Sequence, residues 1–209
     1  LDLGIGLGLR PEFLTMQPRL KGVYRGELVD EKLEALKLLL DPAGGLVSYD
    51  GKHVAFSNVK LNPKPLQNPL PMLTAAETPA PLKRAARWGL NPIVHYAALD
   101  ERTAQFEPIV AETGKSMSDF DLSVWADLRV DVKIGTAAER YLQSNMAQTA
   151  MRLRKSGAEQ IVHDNWVGTV DSIVEQLVAL KRRGVDRLII MHTVNETFDE
   201  MLQQTEVFA

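Results

Sequence analysis

The sequence predicts an α/β fold with a parallel sheet, either a β/α barrel or a doubly wound sheet, and three observations carry that expectation. Five short apolar runs fall at 1–8, 72–76, 91–96, 121–130 and 186–192. Helical segments separate most of them, and strands joined by helical crossovers pair in parallel. An eightfold barrel needs about 250 residues, so five strands within 209 residues correspond to a barrel without its first three units. A start at Leu1, inside a strand and without a methionine, agrees with this. One domain is expected across 1–209, since this length buries one sizeable core.

Positions 1–8 alternate Leu or Ile with Asp or Gly, as suits a buried strand whose backbone is closely approached by something else. Leu28, Leu33, Leu36, Leu39 and Leu40 then recur at helical spacing, and Asp41-Pro42 ends the run. "VSYDGKHVAF" holds two β-rich arms around Asp50-Gly51, the dipeptide that best supplies the positive φ of a tight hairpin, and predicts an excursion near 46–58. The Pro-rich "NPKPLQNPLP" leads into the strand "MLTAA". A helix over Pro79–Trp88 sets Leu82, Ala85 and Ala86 on one face and stops at Gly89, which accepts the left-handed C-cap conformation. Next come the strand "NPIVHY", a helix over 100–113 kinked at Pro108, and the strand "DLSVWADLRV". "TAAERYLQSNMAQTAMRLRKSG" reads as one long helix, and "TVDSIVEQLVALKRRG" as another, capped by Thr169 and ended by Gly184. "DRLIIMH" closes as strand and "ETFDEMLQQTEVF" as helix.

A net charge of −3 with no Lys/Arg cluster leaves no electrostatic footprint for nucleic acid, and no such partner is expected. Without cysteine there is no disulfide framework or thiolate metal site, which makes a cytoplasmic setting the default. No run approaches a membrane span, and the opening residues lack the basic region of a signal peptide. The histidines at 53, 95, 163 and 192 show no metal-ligand spacing, so no metal is expected.

The stretch "TAAETPAPLKRAARWG" asks for explanation: a strand ends at Ala76, and a helix restarts at Pro79 behind Glu77-Thr78. A helix amino end at the carboxyl end of a parallel strand is an anion site, with Thr78 Oγ1 as an added donor. Ordinary capping by Thr78 with Pro79 at the first helical position explains the same residues. Both readings stay open on spacing alone.

The runs "LDLGIGLG", "YRGELVDEKLEAL", "SYDGKHVAFSNVKLNPKPLQNPLP", "AAETPAPLKRAARWGLNPIV" and "WVGTVDSIVEQLVALKRRGVDRLII" resemble, in order and approximate spacing, the bacterial luciferase-like flavin-dependent monooxygenases. The resemblance implies a (β/α)8 TIM barrel that binds reduced FMN at the carboxyl face of its strands, with the first run as the fourth strand. It implies that Ala76, Glu77 and Thr78 form the phosphate turn and that Arg25 pairs with the same phosphate. Gly6 joins them as a backbone position at the cofactor, and Tyr96 falls at an aromatic position near the isoalloxazine. One departure is Leu7, which stands where luciferase proper has a second arginine. Relatives with Gly-Gly-Ser at the phosphate turn include enzymes that use a deazaflavin, whereas the Ala-Glu-Thr form leans towards FMN.

The activity implied is oxidation of an organic substrate by O2 and reduced FMN, delivered by a separate flavin reductase, in a homodimer. A deazaflavin-dependent hydride transfer and a non-catalytic flavin-binding protein are the alternatives. No catalytic residue is named, because the family's acid/base residues lie largely in the first barrel units. If Tyr96 points inward then His95 does not, since strand neighbours alternate. Glu77, repelled by a phosphate, is expected to contribute its backbone and turn its side chain away. Asp127 is expected to be a solvent-facing strand residue.

Overall fold

The computed structural model describes residues 1–8, 10–191 and 197–208. The chain opens with β1 (Leu3–Ile5), α1 (Arg10–Met16) and α2 (Arg25–Leu40), then forms the hairpin β2 (Val47–Asp50) and β3 (Ala55–Val59). Two βα units follow: β4 (Met72–Ala75) with α3 (Pro79–Trp88), and β5 (Asn91–His95) with α4 (Leu99–Glu112). After β6 (Ser123–Val130) come α5 (Ile134–Gln143), α6 (Asn145–Arg154) and α7 (Ala158–His163). The chain continues with β7 (Trp166–Gly168), α8 (Val170–Arg182), β8 (Arg187–Met191) and α9 (Phe198–Phe208). His192 and Glu196, assigned from sequence to the last strand and helix, lie outside the described residues.

The main sheet is parallel in the order β1-β4-β5-β6-β8, with β7 beside the far end of β6. Its two faces are chemically distinct. Val124, Ala126 and Leu128 point to the helices and join Val94, Leu82, Ala85, Leu99, Phe106 and Ile173 in one core. Ser123, Trp125 and Asp127 alternate to the other face. In a flat sheet, four strand spacings of about 4.8 Å would separate β1 from β8 by roughly 19 Å. Yet Arg187 of β8 reaches Asp2, beside β1, with Nη2 3.1 Å from Oδ2. The sheet therefore curls, and the inward face of the curl is a lumen. The crossover helices packed on the outer face, with strands in sequential order, make this an arc of a β/α barrel rather than a doubly wound sheet.

Local chemistry explains the helix ends. Gly89 closes α3 at φ 66°, where any other residue is strained. Thr169 opens α8 with a reciprocal cap, accepting from Ser172 N while Ser172 Oγ accepts from Thr169 N. Three sequence expectations need correction. The long helix over 136–157 is two helices, because Ser144 takes an extended ψ of 146° and its Oγ accepts from Ala147 N to start α6 afresh. Trp166–Gly168 forms a further strand, too short for an alternation signal. Gly51 is not among the residues of positive φ; the hairpin closes through a longer loop with Gly51 N donating to Val54 O at 2.9 Å.

What requires glycine at 51 is close approach: a Cβ there would lie 2.1 Å from Glu31 Oε1. That carboxylate, on α2, accepts from the N–H groups of His53 at 2.8 Å and Val54 at 2.7 Å, and so holds the hairpin loop. Partial burial raises the Glu31 pKa, but the two backbone donors prevail and hold it below the usual carboxylate range. Gly51→Ala or Glu31→Ala is therefore expected to free the hairpin. Amide hydrogen exchange over 47–59 should rise while exchange in β5 and β6 stays unchanged. Equal protection in wild type and both variants would show that Glu31 does not hold the loop.

Candidate functional site

Two features lie at the carboxyl ends of the strands. The first is a cleft of about 150 Å³ between the turn after β1 and the first turn of α3, lined by Gly6, Leu7, Gly8, Thr74, Ala75 and Pro81. Gly8 sits at φ 67°, which turns the chain sharply back from the sheet. Arg25, the first residue of α2, is half-buried beside this turn and donates from Nη1 to Gly8 O at 2.5 Å. One nitrogen of the fork is thus committed to the protein. Gly6 and Arg25 also meet in a larger cleft of about 470 Å³ that runs along the free edge of β1 against Leu28, Leu33 and Leu36 of α2.

Thr78 is exposed at the amino end of α3, and its side chain makes no cap hydrogen bond. The capping explanation of this residue therefore loses its observable, and the hydroxyl is open to a ligand. Pro79 and Pro81 remove two of the three first-turn N–H groups, leaving Ala80 as the single donor among them. Anion capacity here comes from Thr78, Ala80 and the helix dipole rather than from a full turn of amides. Ala76 is fully buried and donates its N–H to Ile93 O at 2.8 Å, so its part is to anchor the turn on β5. Arg25 stands at the neighbouring turn, held to Gly8 O, and shares a cleft with Gly6 but not with Thr78. Thr78 lines neither described cleft.

The second feature is a wall on the lumenal face across β4, β5 and β6. Glu77 turns its carboxylate inward along this face, where Oε1 accepts from Trp125 Nε1 at 2.6 Å. Trp125 meets the His95 ring edge-on, with centroids 4.5 Å apart at 83°. Tyr96 instead packs on Trp166 with centroids 6.0 Å apart, so the lumenal ring at this strand end is His95. Asp127, expected to face solvent, is only 7% exposed and accepts from Tyr141 Oη at 3.1 Å, while its N–H donates to Asn165 Oδ1. The physical reason is that the inner face of a barrel is covered too, here by the α5–α7 excursion that brings Tyr141 and Asn165 inward. Burial, and then the Asp127 charge, push the Tyr141 hydroxyl pKa well up, so it stays a neutral donor. Alternation of Ser123, Trp125 and Asp127 within an apolar strand was the legible signal for this second face.

A curled parallel sheet with helical crossovers defines a β/α-barrel protein, a fold whose ligand sites lie at the carboxyl ends of the strands. Residues 1–187 match the family model described as luciferase-like monooxygenase, and the chain belongs to that family. Among solved structures it is similar to an F420-dependent secondary alcohol dehydrogenase in complex with an F420-acetone adduct. That match has 14% identity and a TM-score of 0.73 over 100% of this chain and 69% of that one. A monooxygenase of Streptomyces bottropensis matches at 20% identity and TM-score 0.72, over 100% of this chain and 66% of that one. The oxygenating constituent of 3,6-diketocamphane monooxygenase of Pseudomonas putida, solved with FMN, matches at 16% identity and TM-score 0.69 over 99% and 68%. At these identities the likeness is one of fold. No helix among the described residues is long and apolar enough to cross a membrane.

Proposed function

We propose that the chain is the FMN-binding part of a monooxygenase that uses reduced FMN and O2 to oxidise a small organic substrate. The observation that carries this reading is the uncapped Thr78 hydroxyl at the amino end of α3, in a chain of the luciferase-like monooxygenase family. Thr78, Ala80 N–H and the remaining fork of Arg25 would hold the phosphate. Gly6 and the Ala76-Glu77 backbone would let the cofactor lie close, whereas Tyr96, turned to Trp166 and the core, is not placed to face the ring system. When bound, reduced flavin supplies the electrons for oxygen activation. The chain's own contribution is to orient it and, through the α5–α7 cover, to exclude water from the lumen. A separate reductase, a homodimer and a cytoplasmic setting belong to the same reading.

Titration of the full-length protein with reduced FMN tests it. Thr78→Val and Arg25→Ala are each expected to weaken binding by about 1.5–3 kcal/mol, roughly ten- to hundredfold, as for hydrogen bonds to a charged group. Unchanged affinity in both variants would place the phosphate elsewhere. Tight binding of coenzyme F420 with none of FMN would replace oxygenation by deazaflavin-dependent hydride transfer. Binding of FMN without oxygen-dependent turnover would leave a flavin-holding protein.

A further inference from the structure

We infer that His95 is a fixed hydrogen-bond donor in the barrel lumen, presenting Nε2–H to the neutral carbonyl oxygen of a bound ligand. The tautomer follows from the backbone. Immediately after β5 the chain makes a single 3-10 turn over Tyr96–Ala98, and Ala97 N donates to His95 Nδ1 at 3.2 Å. Nδ1 therefore carries the lone pair, and in a neutral imidazole the proton sits on Nε2. Moving it to Nδ1 would set two N–H groups against each other.

The ring is held in place as well as in tautomer. Trp125 stands edge-on against it at 4.5 Å, and Trp125 is itself tied down by the 2.6 Å hydrogen bond to Glu77. His95 is only 6% exposed, and Nε2 meets no acceptor among the described residues. A donor that has no acceptor in the protein is free to give its hydrogen bond to a ligand oxygen.

Charge around the ring selects the kind of oxygen. Burial and the positive charge of Arg154 favour the neutral imidazole, and the nearby carboxylates of Glu77, Asp164 and Asp127 oppose them; the neutral form wins. A carboxylate or phosphate placed at Nε2 would meet three carboxylates against the single cation of Arg154, and an uncharged donor. A ketone, aldehyde or ring-amide oxygen meets no such penalty. Nε2–H also has no lone pair to take a proton, so His95 binds and polarises an oxygen and is not the base of the reaction.

Two sources can present that oxygen: a ring carbonyl of the flavin, which rests on the function proposed above, or the organic substrate, which does not. The test is long-range proton–nitrogen NMR on the ¹⁵N-histidine-labelled full-length protein, with FMN binding followed separately by fluorescence. The ligand-free protein is expected to show His95 as the neutral Nε2–H tautomer at pH 7. A shift of its Nε2 resonance with FMN assigns the contact to the flavin, and a shift only on adding cyclohexanone assigns it to substrate. His95→Gln, which keeps a donor near the same place, should retain affinity for the shifting probe, whereas His95→Phe should lose about tenfold. An Nδ1–H tautomer, a charged ring at pH 7, or no shift with either probe overturns the inference. A normal tautomer and a cyclohexanone shift in a protein that fails to bind FMN would overturn only the flavin reading.

Discussion

Trp166→Ala is expected to destabilise the folded protein by about 3–5 kcal/mol, the range for removing a large buried aromatic side chain. Trp166 is fully buried and lies in the main core, where β7 pairs with the outer half of β6 and its ring meets Tyr96. Its indole N–H, however, has no hydrogen-bond partner among the described residues. An unsatisfied buried donor costs about 1–3 kcal/mol, so Trp166→Phe loses area but also removes that cost. The phenylalanine variant should therefore unfold within about 1–2 kcal/mol of wild type in denaturant titrations of the full-length protein. If alanine and phenylalanine prove equally damaging, the ring is not acting through volume.

The second large effect is expected where α2 meets α3. Arg84, 8% exposed on α3, donates from Nε to Asp30 Oδ1 at 2.7 Å and from Nη2 to Oδ2 at 3.4 Å. Trp88 Nε1 donates to the same Asp30 Oδ1 at 3.0 Å. Asp30→Ala strands a guanidinium and an indole donor at once. A buried pair broken on one side loses about 3–5 kcal/mol, and the partial exposure of Asp30 reduces this to about 2–4. Space is tight as well, since a Cβ at Gly26 would lie 2.8 Å from Arg84 Nη2. The double variant Asp30→Leu with Arg84→Met removes both charges and should recover much of the loss. A double variant as unstable as the sum of the two single ones would show that the charges do not act as a pair.

The elements that were readable share one property: their signals are local. The apolar spacing of Leu28, Leu33 and Leu36, and the Gly89 stop, need only their own neighbours to be interpreted. Asp50-Gly51 shows the limit of that logic. The dipeptide marked the hairpin correctly but for another reason, because the glycine accommodates a carboxylate from α2 that is distant in sequence. The 136–157 run failed similarly, since a serine in a helical pattern is ambiguous until its hydroxyl is seen capping a new turn. Thr78 stood out by its place before Pro79, and Arg25 and Gly6 only by the family resemblance, whereas the inward turn of His95, Trp125 and Asp127 was not read at all. Which face of a strand is lumenal depends on how the sheet curls.

From its residues alone this chain determines an α/β order of parallel strands and helices, because hydrophobic period, caps and prolines act within a few residues of themselves. Tertiary structure alone decided that Glu77 turns to Trp125, that Asp127 is buried against Tyr141, and that His95 rather than Tyr96 faces the lumen. These are contacts between separate elements rather than within one, and the curvature that brings Arg187 to Asp2 gives the inner face a place to bury polar groups.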